Sequence, residues 1–285
     1  MRQIDEAAIK RHSDLRFRSE YDYALFEYYR SAKVIAYLEQ AGVPIAGRIL
    51  DAGCGGGGMP ASLAEEAGWV VAIDLTPRFR NAGTRLAVER GIRNLAFSVA
   101  NGMFLPFPDQ TFDLVLSHAV IEHVADAARY LRECRRVLRP SGRMYLSTSP
   151  YLSFAGAHLP RLKVPVPLHL LLGRRAAFGT FRLLARHAAW LLREPENENS
   201  FIKAAKGRAV KTDDLLEKVR IGRLRTLLLD AGFEILRENL HQTRTFRRLP
   251  GPMARWLRES PVTQDVVVGA VEYVVRAEDT GPRPR

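Results

Sequence analysis

Cysteine is scarce: two residues in 285. Cys54 and Cys134 have neither metal-ligand spacing nor a disulfide pattern, which excludes a cysteine-stapled scaffold and fits a reducing compartment. Cys54 reads as a small residue that fits a turn, and Cys134, at helical spacing, as core. Long apolar runs are also missing, none approaching the roughly 20 residues needed to span a bilayer. The opening Met1-Arg2-Gln3-Ile4-Asp5-Glu6 is charged and lacks the apolar segment of a secretion signal. A cytoplasmic protein is expected. No metal site is expected.

Acids are scarce in one place. The chain carries a net charge of +12, yet Gly47–Pro150 holds 12 Arg against 10 Asp or Glu. From His158 to Arg193 there are seven basic residues (Arg161, Lys163, Arg174, Arg175, Arg182, Arg186 and Arg193) and no acid. An excess localised in this way predicts an anionic partner for one segment. Arg175, Arg182, Arg186 and Arg193 share one helical face, and Phe178, Phe181, Leu184, Ala188 and Leu191 cover much of the rest. The segment reads either as a lid with a solvated basic face or as a helix lying on an anionic membrane surface. Few aromatics accompany the basic residues, so nucleic acid is not the expected partner.

What is present is an alternation of short apolar runs with helical stretches. A helix is expected over Tyr21–Ala41. Strands follow at Arg48–Asp51, Val70–Ile73, Leu95–Val99, Phe112–Ser117 and Arg143–Ser147. Helices lie between at Met59–Ala67, Arg78–Arg90 and Ala125–Leu138. This order predicts a parallel, doubly wound α/β sheet whose ligands bind beyond the carboxyl ends of the strands. After Pro150 the pattern breaks at Pro160, Pro165 and Pro167, a helix runs over Gly173–Arg193, and Pro195, Asn197 and Asn199 interrupt again. A helix at Gly222–Ala231 and late strands at Phe233–Asn239 and Gln264–Arg276 complete the pattern. The organisation read from this is an N-terminal helical cap (1–44), a core (45–150), a helical lid or insertion (151–211), completion of the sheet (212–280) and a disordered tail (281–285).

The densest signal is Ile49-Leu50-Asp51-Ala52-Gly53-Cys54-Gly55-Gly56-Gly57-Gly58. An apolar run ends in an acid and turns into five glycines within six residues. Such a loop lets a ligand approach the backbone closely and aims free N–H groups at it. Asp51 stands where a cationic ammonium group is welcome, so the loop suits a nucleoside carrying an amino acid. The second strand ends in Asp74, where an acid can take both hydroxyls of a ribose. Val99-Ala100-Asn101-Gly102, then Leu105-Pro106-Phe107, Phe112-Asp113-Leu114-Val115-Leu116-Ser117 and Leu138-Arg139-Pro140-Ser141-Gly142-Arg143 follow in order.

Over about residues 45–150 this series resembles the class I S-adenosylmethionine-dependent methyltransferases, and most nearly the ubiquinone/menaquinone-type, sterol-type and small-molecule enzymes. The resemblance implies a Rossmann-like, mostly parallel seven-stranded sheet with a helical insertion after the fifth strand, and S-adenosylmethionine as cofactor. It implies that Gly53, Gly55 and Gly57 admit the cofactor while Asp51 holds its amino-acid end and Asp74 its ribose. Asn101 stands where the family commonly has Asp against the adenine, with Gly102 beside it, and an amide oxygen accepts the same hydrogen bond. Ser117 and His118 end the fourth strand, beside the sulfonium. For an oxygen acceptor a histidine must take a proton, and the candidates are His123, of the Glu122-His123 pair, and His118.

The expected acceptor is a small, hydrophobic or lipid-linked molecule (a glycolipid, sugar intermediate or isoprenoid). The protein would then sit in the cytoplasm with a peripheral position at the inner face of the membrane. An RNA or protein methyltransferase and a non-catalytic cofactor-binding scaffold are the competing readings. Gly53-x-Gly55-x-x-Gly58 also satisfies a dinucleotide fingerprint, but Asp51 and the later segments argue against a nicotinamide enzyme.

Overall fold

The computed structural model describes residues 4–16, 18–154, 162–163, 168–192, 220–243 and 245–278. Pro160, Arg161, Pro165, Pro167, Arg193 and the Pro195–Asn199 stretch lie outside the described residues, as do the side chains of Arg174, Arg175 and Phe178 and the tail from Gly281.

The chain opens with two helices, α1 (Glu6–Leu15) and α2 (Glu20–Gln40). Asp5 and Ser19 cap them by accepting from the N–H groups of Ala8 and Asp22, which satisfies otherwise orphaned donors. The alternation follows as β1 (Arg48–Ala52), α3 (Gly58–Leu63), β2 (Trp69–Asp74), α4 (Ala82–Glu89), β3 (Leu95–Val99), β4 (Phe112–His118), α5 (Ala127–Val137) and β5 (Leu138–Thr148). Beyond it come α6 (Leu168–His187), α7 (Ile221–Asp230), β6 (Phe233–Gln242), α8 (Gly251–Glu259), a short α9 (Gln264–Val267) and β7 (Val268–Ala277).

The strands form one seven-stranded sheet in the order β3-β2-β1-β4-β5-β7-β6. The first five run parallel, and β7 pairs antiparallel with both β5 and β6. This is the doubly wound, mostly parallel α/β sheet expected from the alternation. Side chains of successive residues point to opposite faces, and the two cores divide accordingly. Leu50, Val115, Leu146 and Val275 pack with Leu131 and Cys134 of α5 and with Leu224 and Leu228 of α7. Ile49, Leu114, Leu116 and Val274 face the other way, onto Ile35 and Leu38 of α2 and Leu63 of α3. Strands buried on both faces need continuous apolar runs, and that is how β1 and β4 read.

Several boundaries differ from expectation. The Arg78–Arg90 helix splits into a single 3₁₀ turn (Arg78–Arg80), set by Pro77, and α4. The Met59–Ala67 helix stops at Leu63. The expected strand Gln264–Arg276 begins only at Val268, because its first residues coil into α9. Asp265 is buried and accepts from the Ile221 N–H at 2.7 Å, capping α7 where a strand residue would pair along the sheet. The Gly173–Arg193 helix starts earlier, at Leu168, and Gly173 kinks it with φ +72°. Among the described residues no helix is long and apolar enough to cross a membrane.

Candidate active site

The carboxyl ends of β1, β2 and β4 meet at the middle of the sheet, where the strand order reverses. β1 pairs with β2 so that Asp51 lies opposite Ala72, and with β4 so that Asp51 lies opposite Leu116. The chain then turns. The N–H groups of Gly53 and Cys54 both donate to the Ile73 carbonyl at 2.8 Å, tying the start of the loop to β2. Two of the loop's glycines combine a left-handed backbone with no room for a side chain. Gly53 has φ +116° and a Cβ on it would overlap the Val120 side chain, while Gly57 has φ +86° and a Cβ there would lie 2.8 Å from Gly83 Cα.

Asp74 is fastened to this loop. Its Oδ2 accepts from the Gly55 N–H at 2.9 Å, and its Oδ1 accepts from the Thr76 N–H and hydroxyl at 2.9 Å. The acid is thereby held rigidly with one edge still half-exposed. Asp51 is the opposite case: it is 2% exposed and its Oδ2 has no hydrogen-bond partner. Burial, and then the charges of Glu27 and Asp74, push its carboxyl well above the usual range.

Glu27 on α2 completes an acidic rim that sequence reasoning missed. A Cβ on Gly56 would lie 3.5 Å from its Oε2, and that oxygen is buried with no partner. A signal for it exists. Ala24, Tyr28 and Ser31 form the buried stripe of α2, and Glu27 sits between them at i+3. An acid on the apolar stripe of an amphipathic helix calls for an explanation.

The remaining predicted residues are placed as follows. Asn101 Oδ1 accepts from the Met103 N–H at 2.9 Å, closing its own turn, and a second lone pair stays available. Gly102 packs so closely on the Tyr130 ring that a Cβ would lie 2.6 Å from it. Ser117 is buried, its Oγ 2.9 Å from the Tyr130 hydroxyl, which also lies 3.0 Å from the Ala52 carbonyl. Tyr130 therefore bolts β1 to β4 directly beneath the loop. The loop carrying Asn101 is held by Arg136, which reaches the Leu105 and Phe107 carbonyls as well as Glu133 and Asp109.

His118 stacks on Tyr145 and lies 3.1 Å from Arg30 Nη2. A guanidinium only donates, so Nε2 accepts and Nδ1 carries the proton, 2.7 Å from Ser147 Oγ. Burial, and then the Arg30 charge, push its pKa down to about 4. His123 is exposed on a 3₁₀ turn (Ile121–His123), and the adjacent Glu122 is buried and accepts from the Thr148 hydroxyl at 2.8 Å.

Three of the partnerless buried atoms fit one chemical group. Asp51 Oδ2 and Glu27 Oε2 are acceptors, and the buried Arg30 Nε is a donor. An α-amino acid end, with ammonium and carboxylate, presents the complement of this set.

Residues 50–146 match the family model described as a methyltransferase domain. With the fold and the loop, they define a class I S-adenosylmethionine-dependent methyltransferase domain, whose cofactor is S-adenosylmethionine. The chain is 30% identical over 151 residues to the uncharacterized methyltransferase YcgJ of Bacillus subtilis, covering 49% of this chain and 60% of that protein. It is 39% identical over 106 residues to the ubiquinone biosynthesis O-methyltransferase of Methylocella silvestris, covering 37% and 41%. The chain spans about half the length of the curated relatives it matches. Among solved structures, a Mesorhizobium loti S-adenosylmethionine-dependent methyltransferase superposes with a TM-score of 0.53 at 19% identity, over 85% of this chain and 96% of that one. The [4+2]-cyclase SpnF gives 0.54 at 18% identity, over 86% and 80%. Both likenesses are of fold.

Proposed function

We propose that this protein transfers the methyl group of S-adenosylmethionine to a small, hydrophobic or lipid-linked acceptor such as a glycolipid, sugar intermediate or isoprenoid. The observation that carries the reading is the Gly55–Asp74 hydrogen bond, which fixes a ribose-binding acid beside the glycine turn. The partnerless Asp51 Oδ2 just precedes that turn, and the partnerless Arg30 Nε lies on the helix that carries Glu27; both suit the amino-acid end. Relatives named for ubiquinone biosynthesis fit a lipophilic acceptor.

When bound, the cofactor supplies a methyl group already activated on sulfonium, so the protein's task is alignment. Asp51, Gly53, Gly55 and Gly57 seat the amino-acid end, Asp74 the ribose, and Asn101 with Gly102 the adenine. Ser117, fixed through Tyr130, forms the floor under the reacting centre. For an oxygen acceptor the proton goes to His123. His118 is the weaker candidate, because its one lone pair is spent on Arg30 and its low pKa makes it a poor base at neutral pH.

Helix α6, within the 151–211 segment, carries the acceptor side and docks on an anionic membrane. Along α6, Ala177, Phe181 and Ala185 are buried, while Arg182, Leu183 and Arg186 are exposed. Exposed cations beside exposed apolar groups suit a headgroup boundary.

Calorimetric titration of S-adenosylhomocysteine, with NAD as control, tests the cofactor site. Asp74→Ala should weaken binding by about 1.5–3 kcal/mol, roughly 10- to 150-fold. Turnover of labelled cofactor with a lipid extract, against RNA and protein fractions, tests the acceptor. Binding of NAD in place of the thioether would reject the reading. Binding without turnover on any fraction would leave a scaffold protein.

A further inference from the structure

Glu27 is given no role in the mechanism above, although its partnerless oxygen belongs to the set that complements an amino-acid end and its carboxylate faces the same loop. Besides the approach to Gly56, a Cβ on Gly55 would lie 3.9 Å from its Oε1, and the Gly58 N–H hydrogen-bonds to this carboxylate. Oε2 is buried and has no partner. A buried carboxylate with an unmet oxygen is expensive unless a cation or donor arrives. The groups that bear on it are Tyr23 and Arg30 of α2 itself, Asp51 and Cys54 from β1 and the loop, Asp74 from β2, and Arg78 from the turn after β2. Arg30 is already engaged through Nη2 with His118.

We propose that Glu27 is a second seat for the α-ammonium of the cofactor, sharing that cation with Asp51. An ammonium has three donors, and the two partnerless buried oxygens, Asp51 Oδ2 and Glu27 Oε2, offer it two acceptors. The inference rests on the cofactor reading above. Its consequence is proton-linked binding. Burial, partly offset by Arg30 and Arg78, places the Glu27 pKa at about 7, so near neutral pH the carboxyl of the free protein is about half protonated. An arriving ammonium stabilises the anion and expels that proton. Affinity therefore rises with pH through neutrality, and only ligands that carry the ammonium show it.

The test is calorimetry with S-adenosylhomocysteine and with 5′-methylthioadenosine, which lacks the amino acid. Wild type and Glu27→Gln are compared at pH 6, 7 and 8 in two buffers of different ionisation enthalpy. For wild type, S-adenosylhomocysteine affinity should rise about tenfold from pH 6 to 8, with about half a proton released at pH 7. Glu27→Gln should be flat within about twofold and release none. Methylthioadenosine should bind both proteins alike at every pH, which also reports an intact fold. A pH-independent wild type, or a variant that keeps the wild-type profile and proton release, overturns the proposal. Should the variant lose methylthioadenosine binding as well, the wild-type profile alone decides. Failure of wild type to bind S-adenosylhomocysteine at all strikes the cofactor reading itself.

Discussion

The glycine-loop region and the surface segments α6 and α8 break the ordinary partition of residues in opposite directions. Around the loop, polar atoms that water would satisfy are buried without partners: Asp51 Oδ2, Glu27 Oε2 and Arg30 Nε. On α6, on the turn that follows it and on α8, side chains that a core would take stand in solvent. Leu183 is 60% exposed, Trp190 71% and Trp256 63%. Each departure is a cost carried by the isolated chain and removable by a ligand of the complementary kind. The loop presents hydrogen-bonding atoms that suit a small dipolar group, and under the reading proposed above the segments suit an apolar, anionic surface. The proposed transfer from a polar cofactor to a lipid-borne acceptor would use both.

The two regions differ most in their tolerance of substitution. Gly53→Ala should have the largest effect. It places a Cβ at φ +116° and into the Val120 side chain, which together should cost about 3 kcal/mol or more of stability. Thermal unfolding and S-adenosylhomocysteine titration should show a lower Tm and no detectable binding. A variant that keeps wild-type affinity would mean the loop is not built around close approach.

The buried polar region should also be the pH-sensitive one. His118 is held neutral with its pKa lowered from 6.5 to about 4. A depressed histidine means that the unfolded chain binds the extra proton first. Stability from this group is therefore fully present above about pH 6.5 and is lost as pH falls toward 4, by up to about 3 kcal/mol. Glu27 works with the opposite sign, because its raised pKa takes stability away as pH climbs from 4.5 toward 7. The clean readout is the difference between wild type and His118→Gln in unfolding free energy, which should shrink between pH 7 and pH 4. A constant difference would place the histidine's worth in packing against Tyr145 alone.

The extent to which each region could be read in advance follows the same division. β1 through β5 and the turn at Gly53–Gly58 were legible because burial on both faces demands unbroken apolar runs, and only glycine fits the turn. Asp74 was legible because it ends a strand. Glu27 was missed: it is one of four acids on α2 (Glu20, Asp22, Glu27 and Glu39), and only its place on the buried Ala24–Tyr28–Ser31 stripe sets it apart from a solvated one. Ser117 and Asn101 could be located, but their polar atoms could not be aimed. Tyr130, thirteen residues after Ser117, takes the hydroxyl, and the Met103 N–H occupies one lone pair of the amide oxygen. The helix α8 and the coiling of Gln264–Val267 were missed because short segments carry too little periodicity, and capping by Asp265 depends on a distant partner at Ile221.

The exposed segments should give the smallest effects, and their direction is the sharpest contrast with the loop. Trp256 and Met253 stand out from α8 beside the exposed Arg255, and Trp190 follows α6 beyond Arg182 and Arg186. Because these side chains are already in water, Trp190→Ser with Trp256→Ser should leave the Tm within a degree or two, as surface changes do. Partitioning onto phosphatidylglycerol vesicles should nonetheless fall by about tenfold for the pair, on the order of 0.7 kcal/mol for each withdrawn ring. Sedimentation should further show binding that weakens with salt and is absent on phosphatidylcholine, because the arginines contribute only against an anionic leaflet. Wild type that stays in the supernatant with anionic vesicles at low salt would end the membrane reading. A double variant that melts much earlier would mean that the tryptophans belong to a core after all, and the opposition between the two regions would collapse.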